Sequence, residues 1–133
     1  MGNYKHIEER FSRFIIENYS SATEIGVGRN FTVAVQIAGS GVTVRTSDLF
    51  SQQPPNEIPF LQDDVCAPDT AWYQGTELIY AVRPGIEMVP CIIALARLVN
   101  ADCIIYHLGY EVYERGGRII DCGVVLHQYH TRS

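Results

Sequence analysis

The fold is decided by residues 23–31, TEIGVGRNF, where a short apolar strand predicted over residues 22–25 turns into a helix. Glycines at such a turn let the backbone approach a ligand closely, and the helix that follows presents free N–H groups and the positive end of its dipole. A glycine-rich turn also serves simply to change the direction of the chain. The turn alone therefore leaves a ligand site and a purely structural role open.

Helices and strands alternate on both sides of this turn. Before it, residues 5–18 have helical spacing, with Ile7, Phe11, Phe14 and Ile15 on one face and Glu8, Glu9, Arg10 and Arg13 on the wet side. After it, Asn30 is suited to cap a second helix. The remaining predicted elements are strands 42–46, 60–62, 77–82 and 103–108 and a helix over 88–99. Two strand-like pieces, 118–122 and 124–127, form either one bulged strand or a tight hairpin.

This alternation predicts a single α/β domain over residues 1–133. We expect a three-layer, Rossmann-like, open and mostly parallel sheet of about five strands in the order 3-2-1-4-5, with an additional C-terminal strand or hairpin. The second and third crossovers are short, and the first of them, residues 49–59, carries three prolines. Missing crossover helices should leave part of a sheet face apolar and exposed, which favours a homodimer or a protein partner.

Charge and hydropathy exclude several function classes. The net charge is -5 and Lys5 is the only lysine, so no basic cluster supports non-specific nucleic-acid binding. No apolar run reaches membrane-spanning length. We therefore expect a protein that neither spans a membrane nor coats nucleic acid.

The four cysteines, Cys66, Cys91, Cys103 and Cys122, include no closely spaced pair. Zinc sites usually contain such pairs, so no metal is predicted. We expect free structural thiols in a reducing compartment, which is the cytoplasm.

Two acidic positions follow neighbouring strands. Asp48 lies twenty residues after Gly28, at the tip of the next strand, where a carboxylate can accept both ribose hydroxyls of a nucleoside. Asp64 follows the third strand and can accept a hydrogen bond from an adenine amino group, while Leu49 and Val65 sandwich the ring. The alternatives are a turn-capping Asp48 and a solvated acidic turn at Asp63-Asp64.

These motifs resemble those of the Rossmann-fold, S-adenosylmethionine-dependent methyltransferases, whose first loop reads acid-x-Gly-x-Gly as residues 24–28 do. The chain as a whole, including residues 78–84, LIYAVRP, resembles a small uncharacterised archaeal family with a truncated methyltransferase-like fold. The resemblance covers roughly residues 8 to 110. It implies S-adenosylmethionine as cofactor. It also implies that Glu24, Gly26 and Gly28 hold the methionine part, Asp48 the ribose and Asp64 the adenine.

The chain departs from the methyltransferase pattern at three points. Asn30 replaces a third glycine, about 25 residues remain after the fifth strand, and residues 80–84, YAVRP, replace the proline-rich motif of amine methyltransferases. A nicotinamide cofactor fits less well, because Phe31 stands where the dinucleotide fingerprint needs a small residue. Cofactor binding is thus better supported than methyl transfer, and a non-catalytic nucleoside-binding or scaffolding subunit stays open as the alternative.

Residues for a reaction are few. Arg83, after the fourth strand, is suited to clamp a carboxylate or phosphate of a substrate, or is a surface residue before a helix. Tyr80 is expected in the core. His107 is a structural histidine or a base, and His127 and His130 are expected to be exposed. Three tyrosines are assigned a structural role or the lining of a cleft: Tyr106, Tyr110 and Tyr113.

Overall fold

The computed structural model describes residues 3–109 and 111–133, which form one seven-stranded sheet with helices on both faces. The helices are α1 (Asn3–Asn18), α2 (Thr32–Gly39) and α3 (Val89–Val99). The strands are β1 (Ser21–Ile25), β2 (Thr43–Asp48), β3 (Phe60–Gln62), β4 (Leu78–Val82), β5 (Asp102–Tyr106), β6 (Arg118–Asp121) and β7 (Val125–His130). Short 3₁₀ helices cover Thr70–Tyr73 and Ile86–Met88. Tyr110 lies outside the described residues.

The strand order is β3-β2-β1-β4-β5-β7-β6. Strands β1 to β5 are parallel, which confirms the predicted Rossmann-like sheet with its order 3-2-1-4-5. The C-terminal pieces form a hairpin rather than one bulged strand, and β7 inserts antiparallel between β5 and β6. Because β1 to β5 run in one direction, their carboxyl ends share one edge of the sheet, where open α/β sheets bind ligands.

Each face of the sheet has its own apolar core. Helices α1 and α2 cover one face with Phe11, Ile15 and Ile37, all fully buried. Helix α3 covers the other face with Ile92 and Leu95. The helices therefore follow the apolar stripes that helical spacing predicts.

The short crossovers do not leave the centre of the sheet uncovered. The segment Thr70–Tyr73 packs over β2, where the Trp72 indole N–H donates to the Thr46 carbonyl at 3.2 Å and the Ser47 hydroxyl donates to the Tyr73 hydroxyl oxygen at 3.0 Å. Two aromatic side chains on a 3₁₀ turn thus take the place of a crossover helix. The predicted exposed apolar face is wrong for the described residues of β1, β2, β4 and β5, which carry no exposed large apolar side chain.

The prediction of four free thiols is also wrong, because Cys66 and Cys91 form a disulfide. They are 25 residues apart in sequence, so spacing gave no signal, but the loop after β3 packs on the first turn of α3 and brings their Cα atoms to 5.0 Å. Cys103 and Cys122 are free, the first of them buried. The bridge ties the segment carrying Asp64 and Val65 to α3.

Candidate functional site

The glycine loop leaves β1 in a conformation that requires glycine. Gly26 and Gly28 have φ of +69° and +57°, in the left-handed region that side chains with a Cβ rarely adopt. The backbone N–H groups of Gly26 and Val27 both donate to the Ser47 carbonyl, at 2.9 and 3.1 Å. The loop is therefore held against the end of β2, next to Asp48.

Asp48 lies between this loop and a cavity. Its Oδ1 accepts the Gly28 N–H at 3.2 Å, and its Oδ2 accepts the Phe50 N–H at 2.9 Å. A third donor, the Gln52 amide nitrogen, lies 3.4 Å from Oδ2, a long hydrogen bond that a ligand donor can readily replace. Asp48 thus caps a turn and orients the glycine loop, and lone pairs remain for a ligand hydroxyl.

The cavity at the carboxyl ends of β1, β2 and β3, the main cavity, has a volume of about 460 Å³. This size is within the range of small-molecule sites. It brings together most of the residues that the sequence predicts for the cofactor: Gly26, Asp48, Leu49, Asp64 and Val65. Arg83, which the sequence predicts for a substrate, lines it too. Gly28 does not line it and reaches it only through the bond to Asp48.

The two adjacent acids of this cavity differ in their contacts. Asp63 accepts the Tyr73 hydroxyl at 2.6 Å and the Asp69 N–H at 3.2 Å. Asp64 is exposed, and its carboxylate accepts only the Cys66 N–H, at 2.9 Å, among the described residues. Asp63 is therefore occupied in holding the loop, whereas Asp64 keeps free lone pairs.

Glu24 lines a second, smaller cavity of about 190 Å³, the Glu24 cavity. Its side chain is 2% exposed, and Oε1 has no hydrogen-bond partner among the described residues. Burial, together with the nearby Glu8 carboxylate, raises the pKa of Glu24 to about 8, against the opposing effects of Tyr80 and Arg83. An unpartnered buried carboxyl costs free energy that a cationic or hydrogen-bonding ligand can recover.

Tyr80 pairs with Glu24 in the register of β1 and β4. It is fully buried, as expected, but its hydroxyl has no partner among the described residues. Burial and the Glu24 carboxyl raise the pKa of Tyr80 well above its ordinary value, so its phenol stays neutral. Two polar groups thus meet at a position that a purely structural core would fill with apolar atoms.

Glu8 closes the Glu24 cavity from helix α1. The prediction that Glu8 lies on the wet side is wrong, since it is 6% exposed. It accepts a short hydrogen bond from the Asn30 amide and lies 3.9 Å from the Arg83 guanidinium. Its place three residues before Phe11 and seven before Ile15, on the buried stripe of α1, is the signal that could have found it.

Arg83 joins the two cavities, since it lines both. Its backbone has φ of +51°, a left-handed conformation that costs free energy in a residue with a Cβ. Its guanidinium lies 5.7 Å from the centre of the Tyr106 ring, and the Arg83 backbone N–H donates to the Tyr106 carbonyl at 2.7 Å. Neither this backbone strain nor the shared position was predictable from the sequence.

Other side chains of the main cavity were missed by sequence reasoning. Phe50 is 68% exposed at its mouth, next to Leu49, and Met88 and Cys66 also line it. An exposed aromatic residue after a strand end is a signal that could have found Phe50.

The histidines lie on the far side of Arg83. His107 is buried at the end of β5, and His127 is also buried, so the prediction that His127 is exposed is wrong. Its ring packs against His107, with ring centres 5.0 Å apart, and Nδ1 donates to the Gly116 carbonyl. His130 is half-buried at the opposite edge of the sheet, where it bonds to the Ala101 carbonyl.

Within residues 3–109 and 111–133, no three His, Cys, Asp or Glu side chains come together in a way that could hold a metal ion. Among the same residues, no helix has the length and apolar character needed to cross a membrane.

The strand order and the position of the cavities define a Rossmann-like methyltransferase fold. Solved structures share it: a SAM dependent methyltransferase from Archaeoglobus fulgidus superposes with a TM-score of 0.60, at 10% identity, over 81% of this chain and 54% of that one. A putative S-adenosyl-L-methionine-dependent methyltransferase from Methanococcus maripaludis gives 0.57, at 14% identity, over 77% and 56%. A didemethyltoxoflavin N1-methyltransferase from Burkholderia thailandensis, solved with S-adenosylhomocysteine, gives 0.51, at 16% identity, over 94% and 60%. The chain spans between half and two thirds of the length of these enzymes, and at such identities the likeness concerns the fold.

The chain belongs to the uncharacterised protein family UPF0146, whose family model matches residues 7–126. A family member from Archaeoglobus fulgidus is 38% identical over 93 residues, covering 69% of this chain and 72% of the relative. One from Methanocaldococcus jannaschii is 29% identical over 116 residues, 83% of each chain. The predicted membership in a small archaeal family with a methyltransferase-like fold is thus confirmed.

Proposed function

We propose that this protein binds S-adenosylmethionine across the main cavity and the Glu24 cavity and transfers its methyl group to a small acceptor. One observation carries the proposal: the buried Glu24 carboxyl, whose Oε1 has no hydrogen-bond partner among the described residues, lies in a cavity that shares Arg83 with the cavity of Asp48 and Asp64. A ligand with a nucleoside at one end and an ammonium group at the other satisfies both cavities. S-adenosylmethionine has this form.

The nucleoside end has suitable partners in the main cavity. Asp48 is oriented by the glycine loop and offers lone pairs to the ribose hydroxyls. Asp64 keeps lone pairs for the adenine amino group, and Leu49 and Val65 supply apolar contacts for the ring. Phe50, exposed beside Leu49, adds an aromatic surface for stacking.

The methionine end has suitable partners in the Glu24 cavity. Glu24 would accept the ammonium group, and the positive charge would return its raised pKa toward the ordinary range. Arg83, with 18% of its side chain exposed, is the cation within reach of a carboxylate. The two charges of an amino acid thus meet two opposite charges of the chain.

The cofactor would supply an electrophilic methyl group, and the chain would mainly hold and align it. Methyl transfer needs little beyond alignment, sometimes with a general base. The fold likeness to methyltransferases supports this reaction class.

A non-catalytic, nucleoside-binding subunit is the second candidate. The fold likeness extends over only 54% of the Archaeoglobus fulgidus methyltransferase, and so supports nucleoside binding more directly than turnover. Such a subunit would use the same two cavities without turnover. A homodimer or a protein partner, and a cytoplasmic place, remain predictions under both candidates.

Isothermal titration calorimetry tests the binding site. We expect S-adenosylmethionine and S-adenosylhomocysteine to bind the wild type and NAD not to bind. Asp48→Asn should weaken binding about ten- to a hundredfold, the effect of losing a charged hydrogen-bond partner.

Asp121→Asn is the matched control. Asp121 accepts the Gly123 N–H two residues on, at 3.0 Å, as Asp48 accepts the Phe50 N–H, but in the β6–β7 turn. Equal losses in both variants, or no heat with either sulfur ligand, would overturn the proposal. Binding by the wild type without methyl transfer to any acceptor would favour the second candidate.

A further inference from the structure

A third cavity, the His107 cavity, lies at the carboxyl end of β5 and has a volume of about 420 Å³. Its walls are mostly apolar or aromatic, with Tyr106, Val112, Val124 and Val125 beside the two imidazoles of His107 and His127. Glu111 is the carboxylate that lines it. The cavity is therefore suited to a flat apolar molecule with few polar groups.

One ring nitrogen of His107 is hydrogen-bonded, and the other has no hydrogen-bond partner among the described residues. Its Nε2 lies 2.6 Å from the Tyr129 hydroxyl, which also accepts the Tyr113 N–H at 3.0 Å. Its Nδ1 has no partner among the described residues, although the side chain is only 5% exposed. A buried polar atom without a partner is rare in a core and indicates a place for a ligand atom.

The surroundings keep the imidazole neutral. Burial lowers the pKa of His107, and the nearby His127 lowers it further. His127 and Tyr129 face it from β7. From the loop before β6, Tyr113 packs on Tyr129 and Glu111 lines the same cavity. A neutral imidazole with an unshared electron pair is the form that accepts a proton.

The His107 cavity continues the site already described. Strands β4 and β5 are neighbours in the sheet, and Arg83 and His107 follow their carboxyl ends. Arg83, which lines the other two cavities, contacts the face of Tyr106, and Tyr106 lines the His107 cavity. A molecule in this cavity would lie next to the methionine end of a bound cofactor.

We propose that the His107 cavity binds the methyl acceptor, a flat apolar molecule with one weakly acidic hydroxyl, and that His107 Nδ1 is the general base. This inference rests on the proposed function. Tyr129 is the positioning residue, because its hydroxyl oxygen accepts the His107 Nε2–H and leaves Nδ1 unprotonated toward the acceptor.

In the proposed methyl transfer, His107 Nδ1 takes the proton as the acceptor O–H bond breaks, and the acceptor oxygen forms a bond to the methyl carbon. The sulfur–methyl bond breaks with its electron pair going to sulfur, so the sulfonium becomes a neutral thioether. The imidazolium left at His107 is stabilised by Tyr129 and loses its proton to solvent.

The test uses 4-nitrophenol as the probe, because its anion absorbs visible light. On wild-type protein, ¹⁵N NMR should show a His107 with Nδ1 unprotonated near neutral pH. Millimolar probe should shift the backbone amides of Gly109, Val112 and Val124. Methylation of the probe is then followed as the loss of the visible absorbance of its anion.

His107→Gln keeps an amide that can reach the Tyr129 oxygen and has no atom at the Nδ1 position. We expect it to bind S-adenosylmethionine as the wild type does and to methylate the probe about 10²–10⁴-fold more slowly. The acidic limb of the wild-type pH–rate profile should disappear. His130→Gln, which changes a histidine at the opposite edge of the sheet, should leave all of these unchanged.

The outcomes separate the two proposals. Unshifted amides in the wild type, or an equal methylation rate in His107→Gln, would overturn the acceptor site while S-adenosylmethionine still binds. A wild type that binds no S-adenosylmethionine would overturn the proposed function, and the base role of His107 with it.

Discussion

The two edges of the parallel sheet treat buried polar groups in opposite ways. At the amino edge, the Tyr19 hydroxyl donates to Asp102 at 2.5 Å and the Arg132 backbone N–H to the same carboxylate at 2.8 Å. The buried Thr76 hydroxyl donates to the Leu78 carbonyl at 3.1 Å. At the carboxyl edge and just below it, Glu24 Oε1, the Tyr80 hydroxyl and His107 Nδ1 lack partners among the described residues.

The difference shows where the fold gains stability and where it gives some up. Satisfied buried polar groups fix the amino edge and the C-terminus, whereas unsatisfied ones lower the stability of the carboxyl edge. Costs of this kind persist mostly at functional sites. The contrast therefore supports a ligand site at the carboxyl edge independently of any motif.

The largest expected effect is at the amino edge. Asp102→Ala should lower the free energy of unfolding by about 4 kcal/mol, because it removes a charged acceptor from two donors. Urea unfolding followed by circular dichroism measures this loss, with Asp121→Ala as the exposed control. S-adenosylmethionine affinity should not change in folded protein, and a parallel loss of affinity would break the proposed division between the two edges.

Reduction of the disulfide comes next. Opening the 25-residue loop between Cys66 and Cys91 should cost about 3 kcal/mol through the entropy of the unfolded chain. Thermal unfolding should give the highest midpoint temperature for oxidised wild-type protein. Reduced wild type and Cys66→Ser should share one lower midpoint temperature. Cys122→Ser, a change at a free thiol, is the control, and a full effect there would contradict the assignment of the bridge.

Glu24→Gln should stabilise the free protein at alkaline pH. The folded-state pKa of about 8 exceeds the ordinary value of 4.5, so the folded chain holds more protons between these values. The free energy of unfolding of the wild type therefore falls as pH rises from about 4.5 to 8 and then levels off. The variant, which lacks this dependence, should gain about 3 kcal/mol over wild type at pH 7 and nothing at pH 4, and the gain should increase further toward pH 8.

Urea unfolding across this pH range checks the effect, and Glu17→Gln, on the exposed face of α1, is the control. A pH-independent difference between Glu24→Gln and wild type would show that Glu24 is not buried as a neutral acid. The same variant should bind S-adenosylmethionine about ten- to a hundredfold more weakly.

The smallest effect is proton release on binding. At pH 6.5 the Glu24 carboxyl is protonated in the free protein, because its pKa is about 8, and an ammonium ligand should drive off up to about one proton. Calorimetry of S-adenosylhomocysteine in two buffers of different ionisation enthalpy measures this release. 5′-Methylthioadenosine, which has the nucleoside without the amino acid, should release none, and equal release by both ligands would place the titrating group elsewhere.

Several features could be predicted from local sequence. The order of the parallel strands follows from the alternation of helices and strands and from short, right-handed crossovers. The turn at residues 24–28 indicates where the chain changes from strand to helix, and the acids after β2 and β3 must lie at the same edge because parallel strands end together. These inferences need only period, turn chemistry and direction.

Contacts between residues distant in the sequence determine the features that local sequence could not predict. Glu8 lies on the buried stripe of α1, and only its contacts with Asn30 and Arg83 show why a carboxylate is held there. Trp72 and Tyr73 lie in a segment with no clear period, yet they replace a crossover helix. His127 is a polar residue on a short strand, and only the insertion of β7 beside β5 buries it.

The sequence by itself determined the parallel sheet, its strand order and the edge at which the glycine loop and the acids meet, because hydrophobic period and turn residues act locally. Only the tertiary structure decided that Glu24 and Tyr80 are buried without partners, that Arg83 joins two cavities, and that Cys66 meets Cys91. Burial and electrostatic environment depend on residues distant in the chain, and these set the pKa of a carboxyl and the lone pairs left for a ligand.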